Sequence, residues 1–277
     1  MKQTLLGELL KQSIGAKIGL GFIIILLILA ISAPIISFYD PLKMDAVGRL
    51  SPPSFEHLMG QDEFGRDVLS RILHGSRASL IVGLIVIPFS AAIGSIIGAI
   101  AGFYGGIIDS ITMRLADIFF AFPSILLAIA IMAALGPGFS NLVLSLILIN
   151  WTGYARIVRG EALKLREVPF IEAKIAMGAK DFHILVDIIK NSFSPIIVIA
   201  TIGIGWAILA EAGLSFIGLG VPPPEPSWGN MIASGRNYTF ISPHISIFAG
   251  LAISLTVLSF NLIGDALRDI LDPKLKI

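Results

Sequence analysis

Few residues in this chain have the type and spacing that chemistry requires. The four histidines, His57, His74, His183 and His244, are scattered without ligand spacing, and there is no cysteine. Disulfides, thiolate metal sites and a cysteine nucleophile are therefore excluded. A phosphate-cradling loop needs Gly-x-x-x-x-Gly-Lys-Ser/Thr, and no Gly-Lys pair occurs anywhere, so the chain does not hydrolyse ATP by that route. The segment "GLSFIG" (213–218) falls short of the Gly-x-Ser-x-Gly elbow of hydrolases and lies in an apolar run. Glu211 stands almost alone as an ionisable group deep in an apolar stretch. Such a carboxylate costs about 2.5–3.5 kcal/mol on insertion scales unless it is paired, wet or protonated, so it should face a bundle interior. It either lines a path or has a structural partner. A proton-driven carrier would show a relay of such groups, and their scarcity points to an energy source outside the chain.

What stands out instead is a polar interruption, "EVPFIEAKIAMGAKDFH" (167–183). Pro169 suits the first turn of a helix, and Glu172 follows near the positive end of the helix dipole. Ile171, Ile175 and Ala176 form a narrow apolar stripe. Gly178 can adopt the left-handed conformation that ends a helix, and Asp181 can cap the next one, where Phe182 and Leu185 supply an apolar side. Short helices of this kind need a partner surface. Two readings remain open at this level: a hairpin lying on the bilayer, or a plug for a groove on a soluble protein.

The elements that position these residues follow from composition. The chain has 277 residues, 55% apolar and only 14% charged, and its mean hydropathy is positive. This is the all-α integral-membrane class. A net charge of +1 gives no reason to expect nucleic acid. Charge-free intervals define six spans: 18–39, 78–108, a helical hairpin over 118–155 broken at "LGPGFSN" (135–141), 191–220, and about 243–264. The apolar run of the first is too long for a secretory signal core, so an uncleaved anchor is expected.

Six spans place both termini on one side. Fourteen Lys and Arg residues would then share that side (Lys2, Lys11, Lys17, Arg114, the seven between Arg156 and Lys190, Arg268, Lys274 and Lys276), against six opposite (Lys43, Arg49, Arg66, Arg71, Arg77 and Arg236). The bias predicts cytoplasmic termini and a cytoplasmic hairpin. The expected layout is a cytoplasmic N-terminus (1–17), a first helix (18–39), an extracytoplasmic segment (40–76) and a core (77–277) containing the loop 160–190 and an outer loop 221–242.

Gly94, Gly98 and Gly102 recur at four-residue spacing, and 191–220 is rich in Gly203, Gly205, Ala207, Ala210, Ala212 and Gly213. Such residues let helix backbones approach closely in lipid, either within the subunit or against a sliding partner. In the outer loop, Pro222, Pro223, Pro224 and Pro226 favour extended chain, and Trp228 suits a membrane interface. "GRDVLSR" (65–71) reads as a short helix.

Five blocks, in order, carry a resemblance: "MGQDEFGRDVLSRILHGSRASL" (59–80), "RLADIFFAFPSILLAI" (114–129), "NWTGYARIVRGEALKLRE" (150–167), "AEAGLSFIGLGVPPPEPSWGNMI" (210–232) and "GDALRDILDPKLK" (264–276). The chain resembles the second permease type of the dipeptide, oligopeptide and nickel-type ABC importers. The resemblance implies that the loop between spans four and five is the EAA-type coupling loop that seats in an ATPase groove. Its residues here are Phe170, Ile171, Glu172, Ala173, Ile175, Ala176, Met177, Gly178 and Ala179. Lys174 stands where the motif has alanine, and Ile189-Lys190-Asn191 lacks the usual proline.

The implied assembly lies in the cell membrane and pairs this subunit with a related permease, two ATP-binding subunits inside and a substrate-binding protein outside. ATP is used by the partners, and no cofactor is expected on this chain. Glu211, Pro222, Pro223 and Trp228 are expected at an outer gate or a contact with the binding protein, with a plain interfacial anchor as the alternative. The expected cargo is di- or oligopeptide, with nickel or oligosaccharide as alternatives. An ion-coupled carrier, a membrane enzyme or a scaffold are the rivals from other classes.

Overall fold

The computed structural model describes residues 13–271, all helices and connecting turns. The outer parts of the expected N-terminal tail (1–12) and of the last resemblance block (272–276) lie outside the described residues. Among the described residues ten α-helices are formed: α1 (Ile14–Ile36), α2 (Val68–Tyr104), α3 (Gly106–Phe120), α4 (Ser124–Leu135), α5 (Phe139–Arg166), α6 (Pro169–Ala176), α7 (Asp181–Asn191), α8 (Phe193–Phe216), α9 (Trp228–Gly235) and α10 (His244–Leu271). Five are long and apolar enough to cross a membrane by themselves, and α3 with α4 makes a sixth if the bent pair counts as one span.

That pair differs from the single arm expected in the first half of the 118–155 hairpin: it turns by 92° at the break between Phe120 and Ser124. Pro123 explains the break, because it has no N–H to donate and its ring disfavours helical geometry at Phe122. The second helix also differs from its charge-free interval. It starts at Val68, where the Asp67 carboxylate accepts from the Ser70 N–H. It ends at Tyr104, where Gly105 takes φ 67°. "GRDVLSR" therefore leads into, and largely forms, the first turns of this helix. Charge marks what lipid tolerates, not where a helix ends. Likewise α5 runs on to Arg166 and α10 to Leu271.

The core is built around α2. It packs along much of α5 and also against α8, while α10 packs on α8 and α1 on α10. The glycine row settles its two readings in favour of packing within the subunit. A Cβ added at Gly94 would strike the Trp151 carbonyl, at Gly98 the Ala155 carbonyl, and at Gly102 the Ala162 methyl. Each step of four on α2 is thus met by a corresponding step on α5. In α8, Ala207, Ala210 and Ala212 are buried, and Val82, Val86, Met132, Leu142 and Leu146 share a cluster with the first two.

Between α1 and α2, residues 40–67 form a turn-rich polar cap. Leu50 N–H donates to Asp62 O (3.0 Å), Gln61 N–H to Ser51 O (2.9 Å) and Asp62 N–H to Arg66 O (3.0 Å). The buried Asp62 carboxylate accepts from Arg66 Nε at 2.7 Å and forms an ion pair, without a hydrogen bond, with Arg71 Nε 3.3 Å away. Ser242 Oγ donates to Leu50 O (3.0 Å), tying the cap to the chain entering α10.

Candidate coupling hairpin and outer gate

At one end of the bundle, α6, Gly178 and α7 form the expected helix–glycine–helix. Pro169 occupies the first turn of α6 and Glu172 is the acidic group there. Gly178 takes φ 76°. Its N–H donates to Ile175 O (2.9 Å) and the Ala179 N–H to Lys174 O (3.0 Å). That pair of bonds is the Schellman closure of a helix C-terminus, which requires a left-handed residue between them.

The hairpin is rooted by one face. Ile171, Ile184 and Ile188 are buried with Ala99 of α2 and Val158 and Ala162 of α5. Lys174 pairs with Asp187, clamping α6 to α7, and Tyr104 Oη donates to Asp181 Oδ2 (2.9 Å). The neighbouring elements are braced by charge as well. Arg159 binds both oxygens of Asp109 (2.8 and 2.6 Å), joining α5 to α3, and Arg156 Nη2 donates to Asp117 (2.6 Å).

The opposite face is open. Phe170, Ile175, Met177 and Phe182 are exposed, Met177 at 78% and Phe182 at 70%, beside exposed Glu172, Ala173, Ala176 and Gly178. The single apolar stripe read from the sequence is therefore divided: Ile171 points inward, whereas Ile175 and Ala176 face out. Ala179 is half-buried against the root. The apolar side of α7 is Ile184 and Ile188 rather than Phe182. Asp181 is the first helical residue rather than the cap, which is Lys180, and its carboxylate accepts from Tyr104 instead of a backbone N–H.

At the other end, Glu211 is fully buried, and it has partners. Ser79 Oγ donates to Oε2 (2.9 Å) and Ser215 Oγ to Oε1 (2.7 Å). The Val221 N–H donates to the same Ser215 oxygen (3.3 Å), so the carboxylate anchors the start of the proline-rich loop. Trp228 is corrected from an interfacial anchor to a core residue: it is buried and its indole N–H donates to Ile72 O (3.1 Å). The expected extended stretch of 221–242 instead turns and carries α9. Pro222 and Pro223 are exposed on that turn.

A cavity of about 610 Å³ on this side, whose walls include His74, Arg77, Asn141, Pro222 and Glu225, has no counterpart in the sequence analysis. Its walls come from three separate elements, so no single stretch carries the signal. Among the described residues, no three His, Asp or Glu side chains are arranged to hold a metal ion.

Two family models match the chain. "Binding-protein-dependent transport system inner membrane component" covers residues 94–277, and the N-terminal transmembrane domain of oligopeptide transport permease C covers 9–53. Relatives include a glutathione transport system permease protein of Pectobacterium atrosepticum, 44% identical over 96% of this chain and 89% of the relative. A dipeptide transport system permease protein of Alkalihalophilus pseudofirmus is 44% identical over 96% and 88%. A probable D,D-dipeptide transport system permease protein of Escherichia coli is 43% identical over 91% and 85%. Packed apolar helices, a rooted polar hairpin and these matches agree: the chain belongs to the binding-protein-dependent transport system inner membrane components, the non-enzymatic permease subunits of ABC importers.

Proposed function

We propose that this chain is a peptide-import permease that forms half of a translocation pathway with a second, related permease. Two ATP-binding subunits bind at the hairpin and a substrate-binding protein at the opposite face. The observation that carries the reading is the division of the hairpin into two faces. Ile171, Ile184 and Ile188 fix it to α2 and α5, while Phe170, Ile175, Met177 and Phe182 remain available to a groove. A pull on the exposed face passes into the bundle through packing and the Lys174–Asp187 and Tyr104–Asp181 contacts. Movement of the ATPases on nucleotide binding then becomes a rigid-body change between inward and outward access.

The excess of Lys and Arg on the hairpin side supports cytoplasmic termini and a cytoplasmic hairpin in the cell membrane. The relatives' names, permeases for glutathione, dipeptides and D,D-dipeptides, support peptides as cargo. ATP is consumed by the partners.

Reconstitution tests this. The full importer should accumulate a labelled dipeptide in proteoliposomes only with ATP and binding protein present. A cysteine replacing Ala173 should crosslink to an ATPase subunit. Uptake without the ATPases, or a hairpin accessible only from outside the cell, would overturn the reading.

A further inference from the structure

The cavity at the outer end has a charge arrangement that its family membership does not explain. Arg77 and Glu225 both line it. Among the described residues neither has an ion-pair partner, and both are exposed. Arg71, the other arginine near the start of α2, is already held by Asp62 and by the Pro41 carbonyl.

Two further polar groups complete the set. The His74 Nδ1 is engaged by the Ser70 carbonyl (3.0 Å) and the Ser37 hydroxyl (3.2 Å), which leaves Nε2 without a partner among the described residues. Asn141 Nδ2 donates to Leu135 O (2.9 Å) and Gly136 O (3.1 Å), which leaves Oδ1 unused. Ile81, Phe139, Val221 and Pro222 supply apolar wall. A volume of about 610 Å³ falls within the roughly 300–1,000 Å³ typical of small-molecule sites.

One cation and one anion in the same cavity disfavour a simple ion. An anionic ligand meets Glu225, and a cationic one meets Arg77. A ligand carrying one charge of each sign satisfies both, and an amide between them suits the free Asn141 Oδ1 and the His74 ring. Apolar walls accept side chains without selecting a particular one.

We propose that this cavity is a binding site for a short peptide with free termini, its carboxylate taken by Arg77 and its ammonium by Glu225. The proposal rests on the peptide reading above and goes beyond it by locating contacts on the permease itself. The site lies far from the hairpin: 27 residues of α2 separate Arg77 from Tyr104, or about 40 Å at 1.5 Å per residue.

The test uses the intact importer in nanodiscs, without binding protein, and alanyl-photoleucine with free termini as probe. Labelling should map to wall residues such as Phe139 or Pro222. Alanyl-alanine should compete, whereas N-acetyl-alanyl-alanine amide should not. Arg77→Gln and Glu225→Gln should each lower labelling by about tenfold or more, the loss expected for one charge-assisted contact. Both positions are exposed, so an unchanged melting temperature serves as the folding control.

Equal competition by the blocked peptide, labelling that ignores both substitutions, or none at millimolar probe overturns the site. So does unchanged labelling with lost stimulation of ATP hydrolysis by binding protein, which would assign the cavity to that protein. Wild-type uptake, measured in parallel with binding protein, separates the two claims. Peptide import with labelling outside the cavity sinks only the site, whereas import of another cargo and no peptide sinks the reading beneath it.

Discussion

The Tyr104 hydroxyl donates to the Asp181 carboxylate over 2.9 Å, joining the last residue of α2 to the first residue of α7. The contact is solvent-exposed, so its role is register rather than stability. Tyr104→Phe should leave the melting temperature unchanged while speeding amide hydrogen exchange at the start of α7. ATP-driven uptake should fall relative to ATP hydrolysis. Exchange identical to wild type would show that the bond positions nothing.

The two faces of the hairpin should respond differently to truncation. Ile171→Ala removes a fully buried side chain and should cost about 2–5 kcal/mol, read as lower thermal stability of the purified subunit. Met177→Ala, on the open face, should leave stability within about 0.5 kcal/mol yet weaken crosslinking to the ATPase. Equal stability losses would contradict the division of faces.

Gly178 tests the turn itself. No side chain crowds it, so only the backbone at φ 76° resists substitution. A β-branched residue there should cost about 1–2 kcal/mol or more. Gly178→Val should uncouple ATP hydrolysis from uptake with the spans still inserted, whereas Gly178→Asn, which tolerates this conformation, should keep most transport. Unchanged transport in the valine variant would count against the coupling role.

Gly98 is limited by space rather than conformation, because the Ala155 carbonyl occupies the place of its Cβ. Gly98→Val should separate α2 from α5 and cost at least about 1–3 kcal/mol, measured as loss of folded protein in detergent. Gly160→Ala, where a methyl meets open space inside α5, is the control and should cost nothing, gaining up to about 1 kcal/mol from helix propensity.

At Glu211 the hydroxyls of Ser79 and Ser215 depend on one carboxylate. Glu211→Ala leaves them buried without it and should cost about 1–3 kcal/mol for each unsatisfied group. Glu211→Gln, which keeps an acceptor, should cost less. The comparison is read in melting temperature, and an alanine variant as stable as glutamine would mean that the hydroxyls find other partners.

Much of this organisation was legible beforehand because it is local. Charge-free runs announce lipid-crossing helices, and Pro169 and Gly178 announce the start and end of α6 through their backbone restrictions. The bend before Pro123 was missed because the surrounding apolar run hid a single proline. The start of α2 at Val68 lies ten residues before the charge-free interval, because Arg71 and Arg77 limit what lipid tolerates and not where the helix begins. Trp228 was misplaced because an indole satisfies its N–H equally well at an interface or, as here, on the Ile72 carbonyl 156 positions away. Partners at such separations, like those of Glu211 and of the outer cavity, leave no trace in local spacing.

The length of α2 carries a mechanical consequence. Thirty-seven residues at 1.5 Å each make a rod of about 55 Å. Rotated by about 5° about its midpoint, such a rod swings each tip through roughly 2–3 Å in opposite directions. A displacement on that scale exceeds the tolerance of a hydrogen bond. A tilt of that size would make or break contacts at both tips of α2 at once, with no chain of intermediaries between them.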